Sequence, residues 1–354
     1  MYKKECMISS KKPFYSLSNP LRRYLKDYNR LYEDLVAYDD LLRYAGAISI
    51  FDSEGEDTLW LRVYYREHER KEIDFELKRV YTTLMSDGNS DVIEHLSIDA
   101  IDYCSFGNSK PFRVKVRNIL NDNYSYFYVK KFDASRVYGL ELEHLLSPNH
   151  LNFLAYNDTL IEEHIIGIPG DVFMKKRLSS CSDLEKSQLA KEFVKFNERS
   201  FVRLLGDMRS YNYVIVPFHD FDHCVYKIRA IDFDQQSYEG NYKIYLPQFF
   251  KENLPMVSLV QEKLTESSIN QYKVEERSVI AKRILSTKSR IENLLECMKN
   301  NSLSSPTKVK SLSRYFYNLT TDIRFKKSTS MGGILTHLFN HVNKSTQGVG
   351  VNTL

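Results

Sequence analysis

The sequence predicts an α+β fold with strands concentrated in the first half of the chain and helices in the second. Three observations predict it. Residues 91–132 are rich in strand-forming types, with alternation in Phe112-Arg113-Val114-Lys115-Val116 and a dense Tyr, Phe and Val run over Tyr124–Phe132. From about residue 246 to 342 the pattern is mostly helical, with one polar break at Asn300–Thr307. Glycine and proline are scarce, 13 and 9 in 354 residues, which favours long elements over low complexity.

In chain order, residues 1–20 read as a polar tail. Leu21, Tyr24, Leu25, Tyr28, Leu31 and Leu35 stand near helical spacing and predict one or two amphipathic helices over 21–44. Ile48–Phe51 and Leu59–Tyr65 flank a polar turn and predict a hairpin. Helical spacing returns over Glu67–Met85 and stops at Ser86-Asp87-Gly88-Asn89-Ser90, a domain boundary by composition. After the strand-rich stretch come a helix at Ser135–Leu146 and short strands at Phe153–Tyr156 and Thr159–Ile166. A helix over Ser182–Leu205 then precedes two strands, Tyr213–Pro217 and Val225–Ile231, whose hairpin tip is Asp220-Phe221-Asp222-His223. The expected domains are residues 1–90, an N-terminal extension; 91–167, β-rich with one helix; and 168–342, mostly helical. Residues 343–354 are expected to form a frayed tail.

Composition narrows the function. With 50 basic and 46 acidic residues the formal charge is +4, too balanced to call for a nucleic-acid partner, and none is expected. The five cysteines are odd in number and form no C-x-x-C pair, which argues against a disulfide framework and a cysteine zinc ribbon. No apolar run has signal-peptide length or reaches the roughly 18 residues of a membrane span. The expectation is a cytoplasmic protein without a membrane partner.

The segment that carries chemistry is Leu205-Gly206-Asp207-Met208-Arg209-Ser210-Tyr211-Asn212, at the junction of a helix and a strand. A second strand ends in Ala230-Ile231-Asp232-Phe233-Asp234. A hairpin brings the outer ends of its strands together, so Asn212 and Asp232 can face one metal ion, with Asp207 a short loop away. Phosphoryl transfer uses such a set: one carboxylate for the attacking hydroxyl, an amide oxygen and a second carboxylate for Mg²⁺.

This pattern resembles the catalytic loop and metal-binding Asp of the protein-kinase-like superfamily. Gly206-Asp207 with Asn212 is similar to the H-G-D-x-x-x-x-N loop of aminoglycoside-phosphotransferase-like and HipA-like kinases, and Asp232-Phe233 resembles the start of D-F-G. Leu205 stands at the usual His and Asp234 at the usual Gly, and no A-P-E segment occurs, which points to an atypical branch. The resemblance covers roughly residues 95–250. It implies a two-lobed protein-kinase-like fold carrying an N-terminal αββα extension.

It also implies roles. Lys130, in Tyr128-Val129-Lys130-Lys131, resembles the strand lysine that contacts the α- and β-phosphates of ATP. Glu141 or Glu143 on the following helix would brace it; Glu141 is preferred because Leu145 shares its face. Ser105, Gly107, Asn108 and Ser109 lie in a small polar loop between strands that could drape N–H groups over phosphates. Leu160–Gly167 resembles the strand that leads to the adenine. Asn212 and Asp232 would ligate Mg²⁺, with Asp234 a candidate for a second ion or for capping the next turn. Asp207 would take the acceptor proton and Arg209 stabilise the transferring phosphoryl. The implied partners are ATP, Mg²⁺ and an unidentified hydroxyl-bearing acceptor, a protein or a small molecule.

Other readings compete. The same fold without turnover would be a pseudokinase-type nucleotide-binding or scaffolding module. Without the fold, the chain would be an α/β interaction or nucleic-acid-binding protein. His219-Asp220-Phe221-Asp222-His223 has metal-ligand residue types, yet reads more simply as a solvated hairpin tip. Arg314-Tyr315-Phe316-Tyr317 with Arg324-Phe325-Lys326-Lys327 mixes bases and rings, but at helical spacing it reads as core aromatics with snorkelling cations.

Overall fold

A computed structural model of the chain describes residues 12–85, 90–106, 109–220 and 223–346. The fold is α+β and divides into two compact units. One consists of Ser16–Ala134 and Leu151–His164; the other is built mainly from Ser135–His150 and the chain from Ile165 onward.

The first unit is a seven-stranded antiparallel sheet with helices. Its helices are α1 (Asn19–Asp27), α2 (Tyr38–Leu41) and α3 (Glu67–Met85). Its strands are β1 (Gly46–Phe51), β2 (Asp57–Tyr64), β3 (Leu96–Cys104), β4 (Phe112–Asn118), β5 (Tyr124–Lys131), β6 (Phe153–Tyr156) and β7 (Thr159–Glu163), in the order β1-β2-β3-β4-β5-β7-β6. Alternation gives the sheet two characters. Phe112, Val114, Val116, Phe127 and Val129 are buried in one core with Ile73, Leu77, Val80 and Leu84 of α3. Each such side chain contributes about 1.5–3 kcal/mol on burial. Arg113, Lys115 and Arg117 turn to the opposite face.

Two expectations are corrected here. The boundary near residue 90 does not separate an extension: β2 pairs with β3 through Trp60↔Cys104, Leu61↔Tyr103 and Arg62↔Asp102, so the hairpin belongs to the main sheet. The helices expected over 21–44 are α1 and α2, but the link between them is not helical. Asn29 adopts a left-handed φ of 54°, which ends the helix, and Leu31 instead bridges Ala155 at the β6 edge. Residues 86–89, read as that boundary, lie outside the described residues.

The second unit begins with α4 (Ala134–Leu146), β8 (Ile168–Pro169), α5 (Gly170–Lys176) and α6 (Asp183–Arg203). The hairpin β9 (Tyr213–Asp220) and β10 (His223–Ala230) follows, then α7 (Leu254–Lys263), α8 (Glu266–Ser286), α9 (Lys288–Lys299), α10 (Pro306–Thr320), α11 (Ile323–Lys326) and α12 (Met331–Thr346). A small sheet has the order β10-β9-β8. Among the described residues no helix is long and apolar enough to cross a membrane. The helix α12 runs through 343–346, read from sequence as tail; residues 347–354 lie outside the described residues.

Helix α6 organises this unit. Ser182 and Glu185 form a capping box at its start: the Glu185 N–H donates to Ser182 Oγ and the Ser182 N–H to Glu185 Oε2. Its interior carries charged groups among apolar ones such as Leu189, Phe193, Phe196 and Val202. Arg199 lies between Glu192 and Glu276 at 2.8 and 3.1 Å, Arg277 meets Glu198 at 2.6 Å, and Arg203 bonds Glu143 of α4; all are buried. Such pairs are costly to break one-sidedly, since the survivor is a buried unpaired charge. Arg199→Ala is expected to destabilise the fold by about 3–5 kcal/mol in urea unfolding.

Burial resists ionisation of Glu143, but Arg203 and Arg199 outweigh it and hold its carboxyl below the usual range. Its contribution is therefore fully present above the unfolded value of about 4.3 and is lost as pH falls through the lower folded value. The urea midpoint should fall on acidification below that point, and Glu143→Gln should make that fall shallower.

Candidate functional site

The candidate site grows from the exit of α6. Leu204 caps the helix in a left-handed turn at φ 54°. The chain then runs beside the segment that follows β10: Ser237 N–H donates to Leu204 O at 2.8 Å, Leu205 bridges Gln236, and Gly206 N–H donates to Gln235 O at 3.2 Å. A Cβ on Gly206 would stand 3.0 Å from both Gln235 O and Ile244 Cγ2, so glycine suits this approach. Asp207 follows with φ 60°, its N–H donating to Ile244 O at 3.0 Å.

From Asp207 the loop closes on itself. Asp207 O accepts from Arg209 N at 2.7 Å and from Asn212 Nδ2 at 2.7 Å. Asn212 thus spends its amide donor inside the loop and keeps Oδ1 as its acceptor. Its carbonyl takes the Ile231 N–H at 3.0 Å, which sets Asn212 beside the residue before Asp232. Arg209 donates through Nε to Asp207 Oδ1 at 2.9 Å and through Nη1 to Glu252 at 2.8 Å, over the Phe250 ring. Burial works against its charge, but Asp207 and Glu252 raise its pKa overall, so it stays cationic.

Asp232 and Asp234 are joined by a residue that the motif reading missed. Arg136, buried on α4, places Nη1 2.8 Å from Asp232 Oδ1 and 2.8 Å from Asp234 Oδ1. Its Nη2 reaches Ile231 O at 3.3 Å. Gly139, one turn along, permits this: a Cβ there would come within 2.9 Å of Phe233 Cβ. Asp234 N–H also donates to Asp232 Oδ1 at 3.0 Å. Asn253 is a second missed residue. Fully buried, it donates to Met208 O and Pro247 O at 2.9 and 2.8 Å and accepts from Tyr213 at 2.9 Å. Neither was visible in sequence, because each acts across tens of residues and belongs to no local motif.

The other expected residues fall as follows. Lys130 is buried on β5 and ion-paired with Glu162 of β7 at 2.8 Å. Glu141 lies on α4 in the other unit, where Arg290 holds both its oxygens, and Glu143 holds Arg203. The structure thus gives each of these groups a partner from its own unit. Ser105 donates through its hydroxyl to Leu59 O at 3.0 Å, and Ser109 lies in the same β3–β4 connection. Gly107 and Asn108 lie outside the described residues, as do Phe221 and Asp222 of the hairpin tip. Among the described residues no group of three or more His, Cys, Asp or Glu could hold a metal ion. Of the aromatic-basic run, Phe316 and Phe325 are core residues, and Arg324 is bound by Asp322.

No protein-family model matches the chain, and no curated protein matches it. Asn253→Ala should remove the side-chain partners of the Met208 carbonyl and the Tyr213 hydroxyl and leave the Pro247 carbonyl with the Phe250 N–H alone, at a cost of about 3 kcal/mol by the net worth of three hydrogen bonds. Tyr213→Phe should lose about a third of that in the same urea titration.

Proposed function

We propose that the chain is an atypical kinase-like phosphotransferase that moves the γ-phosphoryl of Mg²⁺–ATP to a hydroxyl of a protein or small molecule. The observation that carries this reading is the closed Asp207–Asn212 loop lying against Ile231, so that Asn212 neighbours the Asp232 segment. On this reading the sheet unit is the N-lobe and the helical unit the C-lobe of a two-lobed kinase-like fold, with the β1–β2 hairpin as added strands of the N-lobe sheet.

The donors suit a hard divalent cation, which prefers carboxylate and amide oxygens. Asn212 Oδ1 and the carboxylates of Asp232 and Asp234 would hold it. When bound, the metal supplies charge neutralisation for the nucleotide phosphates. Asp207, oriented through Oδ1 by Arg209, accepts the proton of the acceptor hydroxyl. The guanidinium of Arg209 stabilises developing negative charge. The reading also asks Lys130 to contact the α- and β-phosphates.

A second reading is favoured by Arg136. It is a fixed cation already shared by Asp232 and Asp234, and it fits a module that binds nucleotide without metal-dependent turnover.

ATP with Mg²⁺ should raise the melting temperature by a few degrees. Asp207→Ala should keep that rise yet lower transfer from radiolabelled ATP, to water or to the chain itself, by about 10²–10⁴-fold. Asp232→Ala should abolish the Mg²⁺-dependent part of the rise. A rise that EDTA leaves unchanged, with no transfer by the unmodified chain, would select the second reading.

A further inference from the structure

The seven-stranded sheet buries one face against α3. The opposite face is built differently. Along β4 and β5 three cross-strand rungs pair a cation with a tyrosine: Arg113↔Tyr128, Lys115↔Tyr126 and Arg117↔Tyr124. The ladder continues into β2, where Arg113 Cζ lies 4.5 Å from the Trp60 ring centroid and Arg62 shares with Arg113 the buried carboxylate of Asp102. Lys115 Nζ stands 3.8 Å from the Tyr124 centroid.

From this face we infer a binding surface for single-stranded nucleic acid. Stacking rings and a track of cations are what such a ligand requires. The charge arrangement leaves capacity. Two guanidinium groups divide one carboxylate at Asp102, and among the described residues no carboxylate forms an ion pair with Lys115. Arg117 is the exception, held by Asp99 and Asp122. Arg113 Nε is buried and meets no acceptor among the described residues. Tyr124 is 48% exposed, and the Arg62 side chain 39%.

The spacing favours an unstacked strand. Successive rungs on one face are two residues apart, roughly 6.8 Å. That is about twice the 3.4 Å rise per nucleotide of a stacked strand, so a strand meeting one cation per rung must be extended. Its bases then lie against side-chain rings instead of one another. His164 is close to both Tyr126 and Tyr128, at 5.7 Å between ring centroids in each case. Burial and then Arg113 lower its pKa, so it serves as a neutral ring at neutral pH. The small overall charge gave no sign of this surface, because Asp99, Asp102 and Asp122 stand among its cations and leave only a small local excess. The inference does not rest on the phosphotransfer reading.

Trp60 is the only tryptophan in the sequence, and it sits on this face. The test titrates the full chain into fluorescein-labelled dT20 and U20 by anisotropy, and follows Trp60 emission with the unlabelled oligomers. Saturable binding tighter than about 100 µM is expected, weakening as salt rises from about 50 to 200 mM, with Trp60 quenched over the same range. Lys115→Glu should reduce the salt slope by about one and weaken binding, and Tyr124→Ala should weaken binding. The same charge reversal at Lys282 and Lys288 should leave both unchanged. A preference for dT20 or U20 identifies the natural polymer, and equal affinity shows a sugar-blind face. The proposal is overturned by unchanged anisotropy at about 100 µM, by binding without Trp60 quenching, or by equal displacement with polyglutamate, which carries charge but no bases.

Discussion

The candidate site depends on one constraint: the chain leaving α6 must run antiparallel to the chain leaving β10. The left-handed turn at Leu204 redirects the backbone, and the bonds from Ser237 and Gly206 lock the two exits together. Everything chemically interesting in the helical unit follows from that register. Asp207 comes next on one side, Asp232 and Asp234 precede the paired stretch on the other, and Asn212 closes the gap by taking the Ile231 N–H. A side chain at Gly206 would crowd Gln235 O and Ile244, so the smallest residue stands at the tightest point. The acidic groups converge because backbone pairing leaves them little alternative, and their repulsion is met by arginines.

Arg136, unlike Arg209, is the part that sequence could not reveal. Periodicity read the elements well where the signal is local. Glu67–Met85 is helical over the expected bounds, the β1–β2 hairpin forms around its acidic turn, and the strand-rich stretch becomes β3, β4 and β5. The motif spacing also located the Asp207 loop at a helix–strand junction. Local signals failed at two kinds of place. Tyr28–Leu35 has helical spacing, but its backbone N–H and C=O groups bridge to β6 at Ala155, a tertiary demand that overrides propensity. Arg136, Asn253 and Glu162 act on residues 96, 45 and 32 positions away, and nothing in their neighbourhoods announces it.

Charge shows the same division between composition and arrangement. The chain is nearly neutral overall, yet the α6 interior holds arginines and glutamates in buried pairs, and the sheet groups Arg62, Arg113, Lys115 and Arg117 on one face. Buried pairs of this kind weigh little in net stability, because desolvation offsets their attraction. Their effect lies in geometry: Arg203 with Glu143 and Arg290 with Glu141 tie α4 to other helices of its unit. That anchoring supports Arg136, one to two turns nearer the start of α4, in reaching Asp232 and Asp234.

Arg136 is also where the two functional readings separate on physical grounds. A divalent ion and a guanidinium solve the same problem at a pair of carboxylates, but not in the same way. The guanidinium is one charge fixed by α4, and it engages Oδ1 of both acids through a single nitrogen. A metal brings two charges and departs with its ligand. A site that holds a permanent cation has less repulsion left for magnesium to relieve, so on the phosphotransfer reading any metal affinity would come chiefly from nucleotide phosphates and from Asn212. On the phosphotransfer reading, metal and nucleotide would then bind as one unit and weakly apart, which is the behaviour expected when part of the electrostatic role has been built into the fold.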